Sequence, residues 1–167
     1  MSLSTGGHAL RERLVTDPII LAAALEYAAA GIYVFPAHVS IGPDGKEKVW
    51  PCRDWDAASA TDPARIEAMF AGSWTSVCID TGKSSLVVVD CDGAAGITAW
   101  LALDPPRTPL IVNTPGGGQH WYYRADPDHP VSIDATGKVA PGVDVRGLGG
   151  LVIAPPSSDA RGCYQWI

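Results

Sequence analysis

The chain has 167 residues, 47% of them apolar and 18% charged, with a net charge of −6. That composition fits one globular domain with a substantial core, and no apolar run approaches the roughly 20 residues of a membrane helix. The acidic balance argues against a broad, sequence-independent grip on nucleic acid, though it leaves room for a small basic channel.

The start, MSLSTGGHALRERL, lacks the basic, apolar and small-residue order of a secretory leader. The chain is therefore read as cytoplasmic, with a flexible segment over 1–16 and one domain over 17–167. Asp17-Pro18 has the form of an N-cap followed by proline at the first helical position. The helix it opens runs through IILAAALEYAAA to Gly31. IYVF (32–35) reads as a buried strand closed by Pro36, and 37–60 as a long loop holding a hairpin around Asp44-Gly45. Thr61-Asp62-Pro63 repeats the capping signal and opens a helix that ends near Gly72.

SVCID (76–80) and LVVVDCD (86–92) read as strands joined by the turn TGKSS, and 94–103 as a helix. PLIVNT (109–114), QHWYYR (119–124), VDVRG (143–147) and GLVIAP (150–155) read as further strands. Helices early and strands late predict an α+β, or mixed α/β, fold rather than a regular doubly wound one. The four cysteines, Cys52, Cys78, Cys91 and Cys163, form no C-x-x-C pair. They read as reduced thiols, and no zinc is expected.

VVVDCDG (87–93) drives a valine-rich strand into two acids. Alternation puts Asp90 and Asp92 on one face, about 7 Å apart. Carboxylates that close repel unless a cation lies between them or one is protonated. Hard oxygen ligands suit Mg²⁺ or Mn²⁺. Asp144 in VDVRG would complete a three-acid cluster able to hold two ions for in-line transfer at phosphorus. TPGGGQHWYYR (114–124) runs three glycines into a strand on which His120, Tyr122 and Arg124 share a face. Backbone N–H groups of such a loop, at Gly117 and Gly118, can bind phosphate oxygens. Trp121 and Tyr123 point the other way, toward core. Spacing alone leaves plainer readings open: acids that are solvated or cap the next helix, and a packed His120.

TGKSSLVVVDCDG, then TPGGGQHWYYR, then GVDVRGLGGLVIAPPS closely resembles, in that order, the bifunctional primase-polymerase (Prim-Pol) branch of the archaeo-eukaryotic primase superfamily. VFP (34–36), KVWP (48–51), Trp55, SATDPARI (59–66) and YQW (164–166) extend the resemblance over about residues 20–167. It implies an α/β unit packed on an RRM-like sheet, with the active site between them. It implies that Asp90, Asp92 and Asp144 hold two metals, Mg²⁺ or Mn²⁺, and that His120 contacts the phosphates of the incoming nucleotide. The implied reaction is template-directed attack of a 3′-hydroxyl on an NTP or dNTP, with release of pyrophosphate. Single-stranded DNA template and primer are the implied partners, and many members are fused to a helicase. Lys48, Lys83, Arg124 and Arg146 are candidate nucleotide or template contacts, and each is equally compatible with a solvated surface cation. No Cys/His cluster marks the zinc-binding insertion of some members. The chain ends at Trp166-Ile167 in what reads as a strand, and is taken as a minimal core or a fragment of a longer protein.

Two other classes compete. VVVDCDG also resembles the Asp-x-Asp nucleophile motif of haloacid dehalogenase-type phosphatases, although only Lys138 follows it as a candidate lysine. Glycosyltransferases that use Asp-x-Asp with Mn²⁺ leave GGGQH and VDVRG unexplained. A non-catalytic module binding nucleotide or single strands would use the same cleft, with Trp121, Tyr122 and Tyr123 as stacking candidates.

Overall fold

The computed structural model describes residues 15–132 and 139–167. Of the segment 1–16, residues 1–14 fall outside the described residues, as does Lys138. Thr16 is buried, and its hydroxyl donates to the Phe70 and Gly72 carbonyls and accepts from the Trp74 N–H. Helix α1 (Pro18–Ala29) starts as the sequence predicts. The Asp17 carboxylate accepts the Ile19 N–H, and Pro18 occupies the first turn, where its missing N–H costs nothing. Ile20, Ala24 and Ala28, four residues apart, form its buried stripe.

Strand β1 (Val34–Ile41) runs through Pro36 instead of stopping there. A strand residue points its N–H and C=O to the same side. The Pro36 carbonyl accepts from Cys52 N–H on the β2 side, so the missing N–H faces the last rung of that pairing and costs one ladder bond. The predicted long loop is thus largely a hairpin. β1 turns at 42–46 into β2 (Glu47–Pro51), followed by a four-residue helix α2 (Trp55–Ala58). α3 (Pro63–Met69) is capped by Asp62, which accepts from Arg65 N–H. β3 (Ser76–Asp80) is buried along its whole length.

β4 (Leu86–Cys91) follows β3 in sequence but pairs in a different sheet. Behind it run α4 (Gly93–Leu101), β5 (Ile111–Asn113), β6 (Gln119–Arg124), β7 (Val143–Arg146) and β8 (Leu151–Ala154). A small hairpin, β9 (Ser158–Asp159) and β10 (Gly162–Cys163), precedes β11 (Gln165–Trp166). The first sheet has the order β2-β1-β3-β8 and the second β11-β5-β6-β4-β7, with every pairing antiparallel. The fold is therefore a mixed α/β one built on antiparallel sheets.

Alternation divides the second sheet. On its back, Val89, Cys91, Val143 and Val145 pack with Ile97 and Trp100 of α4, and with Trp121 and Tyr123 as predicted. On its front, Val88, Val112 and Tyr122 join the core shared with α1, α3 and the first sheet. No described helix is long and apolar enough to cross a membrane. The described cysteines carry free thiols, with Cys78 and Cys91 buried and Cys163 exposed.

Gly118 fits where any side chain would collide. A Cβ there would lie 2.2 Å from the Cys91 carbonyl oxygen and 3.0 Å from the Gly93 nitrogen. Gly118→Ala should therefore cost about 1–3 kcal/mol through backbone displacement. Thermal unfolding should record a fall in Tm of roughly 2–4 °C per kcal/mol. An unchanged Tm would mean that the loop yields freely.

Candidate active site

Strand register brings the site together. His120 on β6 lies directly opposite Asp90 on β4, and Asp90 lies directly opposite Asp144 on β7. Opposed residues of antiparallel strands project from the same face, so the three side chains stand in one row across the front. The next row on that face is Tyr122, Val88 and Arg146. Arg146 follows Asp144 by two residues, and its Nη2 lies 3.2 Å from Asp144 Oδ2 and 3.4 Å from Asp90 Oδ2. His120 Nε2 lies 3.4 Å from Asp90 Oδ1.

Asp90 and His120 of this row face the first sheet across two adjoining hollows of about 280 and 560 Å³, and Asp144 lines neither. Both are lined by Glu47, Val49, Asp90, His120 and Arg146. Asp92 reaches the larger hollow from the end of β4, where it holds the N-cap position of α4 without its side chain capping the helix. The carboxylate is thus exposed toward the cleft beside Asp90, just past the strand.

Burial alone would raise the Asp90 carboxyl. The hydrogen bond and charge of His120, and then Arg146, outweigh it and hold Asp90 below the usual carboxylate range. Asp92 goes the other way: burial, then repulsion from Asp90 and Asp144, pushes it up. The cluster is short of positive charge even with Arg146 in place, the condition a hard divalent cation relieves. Among the described residues, no three of these side chains converge closely enough to enclose an ion as they stand. The donor set fits such an ion in chemistry, and carboxylate rotation would have to bring the oxygens together. His120 is buried, and its Nδ1 has no partner among the described residues. Such an atom suits a substrate oxygen or water.

The glycine loop acts differently from the sequence expectation. Gly117 N–H donates to the Thr114 carbonyl, and Gly118 N–H to Thr114 Oγ1. These two donors are already engaged within the turn. The glycines instead allow close approach, Gly118 to the Cys91–Gly93 corner and Gly116 to the Arg161 guanidinium.

Of the four candidate cations, the structure brings only Arg146 to the cleft. Lys48 alternates away from Glu47 and Val49 and is exposed. Lys83, in the β3–β4 turn, donates to Ser59 Oγ and to the Asp56 carbonyl. Arg124 lies four residues along β6 from His120, at the far end of the sheet.

Other residues complete the wall. Lys46 and Arg161 line the larger hollow. Arg161 Nη2 lies 2.9 Å from Glu47 Oε2, and the buried Tyr164 donates to the same oxygen at 2.5 Å. The Tyr164 ring lies 5.8 Å from that of His120. Burial raises the Glu47 carboxyl, and burial with Glu47 raises the Tyr164 phenol. No spacing in the sequence joins residues 47 and 164. The only trace was the YQW resemblance.

Removing the Arg146 charge should leave Asp90 less favoured as an anion, so its titration should move to higher pH. In metal-free protein, carboxyl ¹³C NMR of Arg146→Met should show that upward move relative to the wild type. An unchanged titration would show that His120 alone sets Asp90.

A family model described as bifunctional DNA primase/polymerase, N-terminal, matches residues 24–167. No curated protein matches the chain. With a match over most of its length, the chain belongs to the Prim-Pol family, whose type of activity is primase/polymerase nucleotidyl transfer on nucleotide and DNA substrates.

Proposed function

We propose that the cleft joins nucleotides on a single-stranded DNA template: a 3′-hydroxyl attacks the α-phosphorus of an NTP or dNTP, the bond to the β-phosphate breaks, and pyrophosphate leaves. The observation that carries this reading is the row His120–Asp90–Asp144, of which His120 and Asp90, with Asp92, line a cleft of nucleotide size. The order β7-β4-β6-β5, with α4 behind, also suits an RRM-like catalytic sheet.

Asp90, Asp92 and Asp144 would hold Mg²⁺ or Mn²⁺. When bound, such ions make the attacking hydroxyl more acidic and offset charge on the leaving pyrophosphate. The chain's own residues do the rest. His120 and Arg146 keep Asp90 ionised near neutral pH. His120, held against Tyr164 with Nε2 toward Asp90, lines the cleft and would meet the phosphates once its ring turned. Lys46, Arg146 and Arg161 oppose the triphosphate charge from the cleft walls. β4, paired on both sides, holds Asp90 rigidly, which limits the reorganisation needed at the moment of transfer.

Primer extension tests this directly, with labelled primer on a single-stranded template, Mg²⁺ or Mn²⁺, and either dNTPs or NTPs. Wild type should give a metal-dependent ladder. Asp144→Ala and Asp90→Ala/Asp92→Ala should abolish it while keeping a native circular dichroism spectrum. Normal extension by Asp144→Ala would remove that residue from the site. Phosphate bound covalently to Asp90 would support the phosphatase class instead. Arg161→Ala should raise KM for the nucleotide by about 10- to 100-fold, the size of a lost charge-assisted contact, with kcat less affected. An unchanged KM would leave Arg161 as a brace for Glu47 only.

A further inference from the structure

A second hollow, of about 550 Å³, lies at the other end of the central strands. It is lined by Lys83 from the β3–β4 turn, Arg107 from the segment before β5, and Arg124 from the end of β6. Among the described residues no carboxylate lines it, whereas the catalytic cleft presents Glu47, Asp90 and Asp92. In a chain of net charge −6 with 12 lysines and arginines, three cations around one hollow are a marked local excess.

The three differ in availability. Lys83 is tied to Ser59 and Asp56, and its ammonium lies 5.8 Å from the centre of the Tyr33 ring. Arg107 and Arg124 are exposed, and neither side chain has an ion pair or hydrogen bond among the described residues. Arg124 also borders a neighbouring hollow containing Asp126, but that carboxylate is engaged by His129 at 2.9 Å and by the Asp128 N–H. The carbonyl end of α1, at Ala30 and Gly31, abuts the hollow and opposes an anion with about half a unit of negative charge. Three whole positive charges exceed it. The exposed Pro109 and Leu110 give the hollow an apolar lip.

Geometry links this hollow to the cleft. Arg124 stands opposite Leu86, four residues along the same two strands from the His120–Asp90 pair. Four residues of strand span roughly 13 Å, a few nucleotides of backbone. We infer that the Lys83–Arg107–Arg124 hollow holds the phosphodiester backbone of the single-stranded template on its way to or from the catalytic row. Spaced cations that pair with phosphates, beside an apolar lip for bases, form a surface that grips a strand without reading its sequence. The inference rests on the polymerase reading for the strand's role as template, and on the hollow's own charge for binding.

The test is fluorescence anisotropy of a labelled oligo-dT 20-mer at several salt concentrations, without nucleotide or divalent ions. Wild type, Arg107→Ala/Arg124→Ala, and Arg65→Ala as a cation control elsewhere on the surface would be compared, with folding checked by circular dichroism. The double variant should bind on the order of 10-fold or more weakly, and its log–log salt slope should fall by about 1.4, two contacts at about 0.7 each. Arg65→Ala should bind as wild type does. No binding by wild type, an unchanged slope in the double variant, or an equal loss in Arg65→Ala would each overturn the inference. Primer extension on the same proteins separates the two claims. Arginine-dependent binding without any extension would uphold the hollow and refute the polymerase reading. Extension with binding indifferent to Arg107 and Arg124 would refute the hollow alone.

Discussion

The register between β6, β4 and β7 is the constraint on which the rest of the site depends. His120, Asp90 and Asp144 come from strands that are distant in sequence, and they stand abreast because antiparallel pairing sets them opposite one another. Because side chains alternate along a strand, a slip of one residue would turn each to the other face. Two bodies of apolar contact prevent such a slip. The back of the sheet is sealed by α4, and the front carries Val88, Val112 and Tyr122 into the main core. The same valines that bury β4 therefore fix where its acids emerge.

Electrostatics around that row are balanced without being neutral. Arg146 touches two of the acids, and His120 touches one. Asp92 remains raised by burial and by its acidic neighbours. A cleft tuned this way accepts further positive charge near the acids and further negative charge near Lys46, Arg146 and Arg161. A metal-nucleotide complex carries both. The Glu47–Arg161–Tyr164 group holds the wall beside the glycine loop, where Arg161 meets Gly116, so the β1–β2 hairpin and the chain's last residues share in shaping one pocket.

Much of the local structure was legible because its causes are local. Asp17-Pro18 and Asp62-Pro63 carry their capping chemistry within a few residues, and both helices begin there. The opposite facing of Tyr122 and Trp121 follows from alternation alone. Pro36 misled because its cost depends on which neighbour its absent N–H would face, and pairing partners are not written in a local stretch. The glycine loop misled for a related reason. Its φ freedom is visible in the sequence, but the Cys91 carbonyl that Gly118 must clear belongs to another strand.

The sequence by itself determined the family and the strands on which the acids and the histidine lie, because motif order and side-chain alternation are properties of the chain. Tertiary structure decided which of the other cations come near those acids. Arg146 is two residues from Asp144 on a strand, so alternation delivers it. Lys83 and Arg124 looked equally suitable, yet the β3–β4 turn and the length of β6 carry them to the other end of the sheet. Arg161 and Glu47, 114 residues apart, meet at the cleft. A charge acts over a few ångströms, and that distance is set by the packing of two sheets, to which spacing along the chain gives no guide.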